Sequence, residues 1–236
     1  MNKILITCIL LLGFVTAGAG EEPPAKTAQV ATYKAGGTPI AIPSPTTEMN
    51  EVGYDNREFM EVFVAPNNRL IAAYVVTNDL AKLTSGSEGL ILSKYAMVQV
   101  PRRGEYMDCG ESDFKEVTDG AKEQFGNVMI SSMKEVEEEF NRRMKSLDLE
   151  EATVSLGKPI QLGCLFSKPD AYGFGMVVPV EMGGQKSTMV GGAALVRIKQ
   201  RLLFVYLYAE YKNEETIKWI RRETEAWANA ILKANG

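Results

Sequence analysis

Histidine does not occur anywhere in these 236 residues. Its absence removes Ser-His-Asp and Cys-His nucleophile pairs, imidazole metal sites and the side chain best suited to moving protons near neutral pH. Carboxylate, tyrosine, lysine or cysteine chemistry stays open, but no spacing in the chain singles out such a set. We therefore assign no catalytic residue, no metal ligand and no cofactor. Neither sign of charge dominates, with 26 basic against 30 acidic side chains, which gives no general attraction to nucleic acid or to anionic lipid. Beyond the first twenty residues no stretch approaches the ~18 consecutive apolar residues of a membrane helix.

The amino terminus is different in kind. MNKILITCILLLGFVTAGAG has one lysine near its start, an apolar run over residues 4–15 and then small side chains, the three-part pattern of an export signal. About 12 apolar residues make roughly 18 Å of helix, too short for a ~30 Å hydrocarbon layer. Ala17 and Ala19 are the small residues a signal peptidase reads, with cleavage after Ala19 expected and after Ala17 as the alternative. The expected organisation is a signal peptide over residues 1–19, a flexible leader over 20–38 and one domain over 39–236, with a periplasmic or secreted address and no membrane span after cleavage. About 217 residues fit one domain better than two.

Cysteine is scarce, at three residues, one of them inside the signal. Cys109 and Cys164 are a candidate disulfide in an oxidising compartment. Closing a loop of about 55 residues would contribute roughly 4 kcal/mol before strain. Two separate thiols are the alternative, since Cys164 sits in the apolar run LGCLF.

Periodicity supplies most of the architecture. A short helix is expected near residues 56–63, ended before Pro66. RLIAAYVV at 69–76 and LLFVYLYAEY at 202–211 are apolar on both faces, the pattern of strands covered above and below. YAMVQV at 95–100 is a further strand. Phe114, Val117, Ala121 and Phe125 repeat at helical spacing, with Gly126 as the expected stop. A second helix follows, with Met133, Val136, Phe140, Met144 and Leu147 inward. Pairs Glu138–Arg142 and Glu139–Arg143 and the acidic run 137–139 read as a solvated face. Residues 172–180 alternate as a strand that Pro179 places toward an edge or bulge. GGQKST turns the chain, and Gly191 and Gly192 in the returning strand mark close packing. Asn213 caps a last helix whose Ile217, Ile220, Thr224, Trp227 and Ile231 share one side. The fold class is α+β, an antiparallel sheet covered by helices on both faces and closed by the carboxy-terminal amphipathic helix.

The extended lead-in IPSP at 42–45, the strand RLLFVYLYAEY and the final amphipathic helix resemble, in order of elements, the PsbP-like domains. That resemblance, over roughly residues 40–234, implies an accessory or binding role rather than catalysis; fold by itself does not establish function.

Three motifs were weighed. GGQKST, residues 183–188, lacks the glycine before lysine and the earlier glycine of a phosphate loop, and reads as a hairpin turn. Asp108, Glu111 and Asp113 match no calcium loop, and a helix cap at Ser112 or Asp113 accounts for the cluster. Tyr172, Phe174, Tyr206, Tyr208 and Tyr211 are core residues or the lining of an apolar pocket. The expected function is a non-catalytic binding or accessory module of the cell envelope, its partner a small molecule or an envelope protein and not nucleic acid. The alternatives are an enzyme using carboxylates or tyrosine, and a protein-interaction module.

Overall fold

The computed structural model describes residues 29–85, 92–147 and 153–236, without the side chains of residues 85 and 124–133. Residues 1–19, with Ala17 and Ala19, lie outside the described residues, as do the side chains of Phe125 and Met133.

The first described element falls in the stretch assigned to a leader. Strand β1 (Val30–Ala35) pairs antiparallel with β2 (Thr38–Pro43). The Gly36–Gly37 turn between them, with φ of 53° and 79°, is the two-residue connection that such hairpins favour. Composition alone hides this hairpin because glycine, threonine and alanine also make linkers. Gly36 has no tolerated substitute: a Cβ there would lie 2.0 Å from the Glu105 carbonyl oxygen.

Behind the hairpin stands a wholly antiparallel eight-stranded sheet. It contains β3 (Met49–Glu51), β4 (Asn68–Val76), β5 (Lys94–Pro101), β6 (Val154–Leu156), β7 (Ile160–Lys168), β8 (Ala171–Met182), β9 (Gln185–Ile198) and β10 (Arg201–Glu210). The spatial order is β3-β4-β5-β10-β9-β8, and both β6 and β7 pair with the outer side of β8. The fully apolar runs are indeed interior: β4 lies between β3 and β5, and β10 between β5 and β9. Pro179 falls where β7 has ended and β6 has not begun, its carbonyl accepting from Gly157 N at 2.8 Å. The missing N–H on that side therefore leaves no ladder bond unmade.

Helices cover both faces. Helix α4 (Glu214–Asn235) is capped as expected, Asn213 Oδ1 accepting from Glu215 N at 3.0 Å, and buries Ile220, Thr224, Trp227, Ala228 and Ile231. It packs between the sheet and the β1–β2 hairpin. Trp227 Nε1 donates to the Pro43 carbonyl at 2.7 Å, and the Asn235 amide both accepts from Ala41 N and donates to Ala41 O, at 2.8 and 2.7 Å. The core on this side joins Ile40, Ile42, Tyr74, Val196, Leu203, Val205 and Leu207 to the helix.

The other face carries α1 (Arg57–Glu61), preceded by a 3-10 turn at Tyr54–Asn56, then α2 (Thr77–Ser85) and α3 (Glu111–Ser146). Where the glycine pattern predicts two helices parted at Gly126, the backbone is one continuous helix of 36 residues. An interior glycine costs a helix only about 1 kcal/mol, less than its tethered ends supply. Asp113, at the third position of α3, accepts from Gly110 N at 2.8 Å, so the expected capping role falls to Asp113 rather than Ser112.

Candidate functional site

The two faces of β9 define the site. Gly191, Gly192, Ala193 and Ala194 place small residues on both sides of the strand in the middle of the sheet. On the α4 side the space is filled: a Cβ on Gly192 would meet Thr224 Oγ1 at 2.2 Å and Ile220 Cγ2 at 2.9 Å. On the other side the register sets Gly191 between Met176 of β8 and Tyr208 of β10, and Ala193 between Phe174 and Tyr206. Large side chains on both neighbours and small ones between them make a trough along β9.

Helix α3 spans this trough, and among the described residues Val117, Ala121, Val136 and Phe140 are the apolar side chains it brings to it. It is held at its ends and edges, largely by polar contacts. Phe114 is buried near its start with Cys109, Tyr172 and Leu195. Near its other end the Asn141 amide exchanges two hydrogen bonds with Val154 of β6, at 2.7 and 2.8 Å, and Glu137 accepts from Leu156 N at 2.7 Å. Arg143 Nη1 donates to the carbonyls of Glu61 and Val64 at 2.8 and 2.7 Å. These contacts correct the reading of residues 137–143 as a solvated face. Glu137 and Arg143 bind backbone, Glu139 pairs with both Arg142 and Arg143, and Glu138 pairs with Lys134. Nothing in a charge pattern distinguishes a carboxylate facing water from one facing an unpaired strand N–H.

Two adjoining cavities remain between α3 and the sheet, of about 540 and 200 Å³. Phe63, Val136, Phe140, Met176 and Tyr208 line both. The larger is floored by Phe174, Leu195, Phe204 and Tyr206 and roofed by Val117, Ala121 and Val136; the smaller reaches Tyr95 and Met189. Aromatic rings run through the site as a connected series. Tyr95 stacks on Tyr208 with centroids 4.7 Å apart, Tyr206 lies 6.2 Å beyond, and Phe63 bridges Tyr95 and Phe140 at 5.3 and 5.1 Å. Gly191 makes room for the Tyr208 ring, which a Cβ there would approach to 2.9 Å.

Electrostatically the trough is quiet. Burial pushes the Tyr206 phenol up to about 12 and raises those of Tyr95 and Tyr208, so all three are neutral donors at physiological pH. Their hydroxyls make no hydrogen bond among the described residues. Glu139 is the one charged group among the described residues lining the cavities. Burial works to raise its carboxyl, but Arg143 and Arg142 outweigh that and hold it below the usual range.

Of the residues singled out by sequence, Phe174, Tyr206 and Tyr208 come together here. Tyr172 is buried beside Cys109, and Tyr211 lies partly exposed after β10. The sequence reading did not include Phe63, Tyr95 and Phe140 in the site, although alternation in β5 and the apolar stripe of α3 carry a signal for two of them. Cys109 and Cys164 stand as free thiols, the first buried and the second exposed on β7. The acidic cluster disperses: Asp108 pairs with Arg201, Glu111 with Arg197, and Asp113 caps α3. No group of three or more metal-ligating carboxylates or thiols occurs among the described residues. GGQKST spans the β8–β9 hairpin turn at Gly183–Gly184 and the start of β9.

No family model matches the chain. No curated protein matches it either. Among solved structures, the Ran-binding protein Mog1p of Saccharomyces cerevisiae is matched at 11% identity and a TM-score of 0.30, over 89% of this chain and 93% of that one. A point mutant of Mog1 is matched at 12% identity and a TM-score of 0.31, over 88% and 93%. Similarity of this degree establishes neither a shared fold nor a shared ligand. The resemblance to PsbP-like domains is not upheld: no family model matches the chain, and the solved structures it matches are of Mog1. The periplasmic or secreted address is likewise not upheld: the matched structures are of a Ran-binding protein, and similarity of this degree assigns no address to the chain.

Proposed function

We propose that this chain is a non-catalytic protein-interaction module that receives apolar side chains of a partner segment in the trough beneath α3. The observation that carries the reading is the open aromatic floor along β9, set against the filled side of the same strand. A sheet face that the described side chains leave open forgoes burial free energy of about 25 cal/mol per Å², and an inserted partner recovers it. Aromatic-walled apolar pockets are where partner anchors bind most strongly. The absence of histidine, neutral phenols and a doubly paired Glu139 support a role in binding rather than in proton transfer. Ran binding is a property of the matched proteins, and the proposal does not rest on it.

One observation favours a second reading, a small apolar ligand. The hydroxyls of Tyr95, Tyr206 and Tyr208 have no hydrogen-bond partner among the described residues, and a guest carrying carbonyl or carboxylate oxygens would accept from them.

Selection of random peptides displayed on phage, against wild type and Val136→Asp, separates the readings. Val136 lines both cavities yet is 38% exposed, so the variant spoils the trough without burying a charge in the core. The proposal expects enriched peptides with spaced apolar residues that bind Val136→Asp about tenfold more weakly or worse. Enrichment without an apolar motif, or equal binding to the variant, overturns it. A bound small molecule in the native mass spectrum of the purified protein would replace it with the ligand reading.

A further inference from the structure

A second surface lies at the end of the sheet where the β1–β2, β5–α3 and β9–β10 connections meet. The loop over residues 102–108 projects Tyr106 and Met107, which are 76% and 67% exposed, while the rest of the loop is fixed in place. Glu105 turns inward, accepting from Arg69 Nε at 2.9 Å, from Arg69 Nη2 and from Gly36 N at 3.1 Å. Arg102 N donates to the Asn67 carbonyl, Met107 N to Gly104 and Cys109 N to Gln200, at 2.8, 3.1 and 2.8 Å. An exposed tyrosine beside an exposed methionine on a pinned loop loses little freedom on binding, the condition under which such side chains anchor a partner.

The charge around this pair is opposite in sign to that of the whole chain, whose net charge is -4. Lys34, Arg102, Arg103 and Lys199 are all exposed, and none forms an ion pair among the described residues. They are neighbours in space. Lys199 Nζ donates to the Pro39 carbonyl, Pro39 is paired with Lys34 across the hairpin, and the Lys34 carbonyl accepts from Arg69, the partner of Glu105. The two carboxylates closest to the loop, Glu105 and Asp108, are bound by Arg69 and Arg201. These four side chains, of which Arg102 also donates from Nε to the Asn68 carbonyl at 2.9 Å and helps to lower the Glu105 carboxyl, thus stand without an ion pair among the described residues at the end of the sheet that carries the two exposed apolar side chains.

We infer that this apex docks an acidic protein segment, its carboxylates against Lys34, Arg102, Arg103 and Lys199 and an apolar residue against Tyr106 and Met107. The reading is independent of the trough beneath α3. A protein segment fits better than a polyanion such as nucleic acid, because the cations flank an apolar centre instead of forming a continuous track.

The test is fluorescence anisotropy with a labelled peptide of alternating glutamate and leucine. Controls are its glutamine–leucine and glutamate–serine counterparts and a single-stranded oligodeoxynucleotide. The glutamate–leucine peptide should bind most tightly and weaken about tenfold with Tyr106→Ser and again with Arg103→Glu. Added salt should weaken it too, and Val136→Asp should leave it unchanged. Both apex substitutions are at exposed side chains and should leave the circular dichroism spectrum unchanged. Equal binding of the glutamate–serine peptide or the oligonucleotide reduces the apex to a general anion surface and overturns the inference. So does indifference to Tyr106→Ser, and loss of binding in Val136→Asp would move the peptide to the trough.

Discussion

The two sides of β9 start from the same small residues and end differently. Toward α4, Gly192 is matched by Thr224 and Ile220 at contact distance, and Ala194, Trp227 and Ile231 belong to one buried apolar core. Toward α3, Gly191 lines the cavity of about 200 Å³, and Ala193 lies between Phe174 and Tyr206, which line the one of about 540 Å³. The helices differ in the same sense. Helix α4 presents a continuous apolar stripe, whereas α3 is fixed at its edges by side chains that bond to backbone: Asn141, Glu137 and Arg143. Close packing holds the first helix down on the sheet, and polar tethers hold the second one off it. A small-residue strand thus sets the closeness of approach only when the helix above it supplies matching side chains.

Changes on either side would test this contrast, and the largest effect is expected from Trp227→Ala. Removing a fully buried indole and leaving the Pro43 carbonyl without its donor should cost about 3–5 kcal/mol, measured by urea unfolding. Loss of less than ~1 kcal/mol would mean that the α4 side is not close-packed. Asn141→Ala should cost about 1–3 kcal/mol by stranding the Val154 N–H and carbonyl. Hydrogen exchange in that variant should quicken in β6 and the end of α3 while α4 keeps its protection. Matched enlargements sharpen the comparison further. Ala194→Leu should destabilise by about 1–3 kcal/mol through overpacking, whereas Ala121→Leu, pointing into the cavity, should stabilise by about 1 kcal/mol. Thermal melts read both, and equal signs would erase the distinction between the faces.

The smallest effect near neutrality concerns pH. The Tyr206 phenol is raised by burial from 10.0 to about 12, so the unfolded chain releases its proton first. Stability is fully present below pH 10 and should fall between about pH 10 and 12, with Tyr206→Phe flattening that decline. A ligand that binds the trough should shift the decline to higher pH, because it adds to burial of the same phenol.

Much of the architecture was legible in the chain. The both-face apolar runs gave β4 and β10, Asn213 and the Ile217–Ile231 spacing gave α4, and the GG pair in β9 announced close packing. The hairpin β1–β2 was missed because its stability comes from Trp227 and Asn235 nearly two hundred residues away, not from its own pattern. The continuity of α3 through Gly126 was missed because tethers at 114 and 137–143, rather than local propensity, hold the helix. Three of the five aromatic residues named from sequence reached the trough. That Gly191 would face a cavity and Gly192 a helix follows from which side each helix packs on, and alternation along one strand does not encode that.

The two margins of the sheet have a consequence for how the molecule meets copies of itself. At one margin β3 has only three residues. At the other the border is shared between β6, also of three residues, and β7, whose pairing slips at Gly163 and again after Cys164. Among the described residues the outermost strands are thus short or bulged, which disfavours the long, flat row of free N–H and C=O groups on which strands of separate molecules join into fibrils. An eight-stranded sheet that would otherwise be prone to lateral growth is thereby terminated in its own backbone.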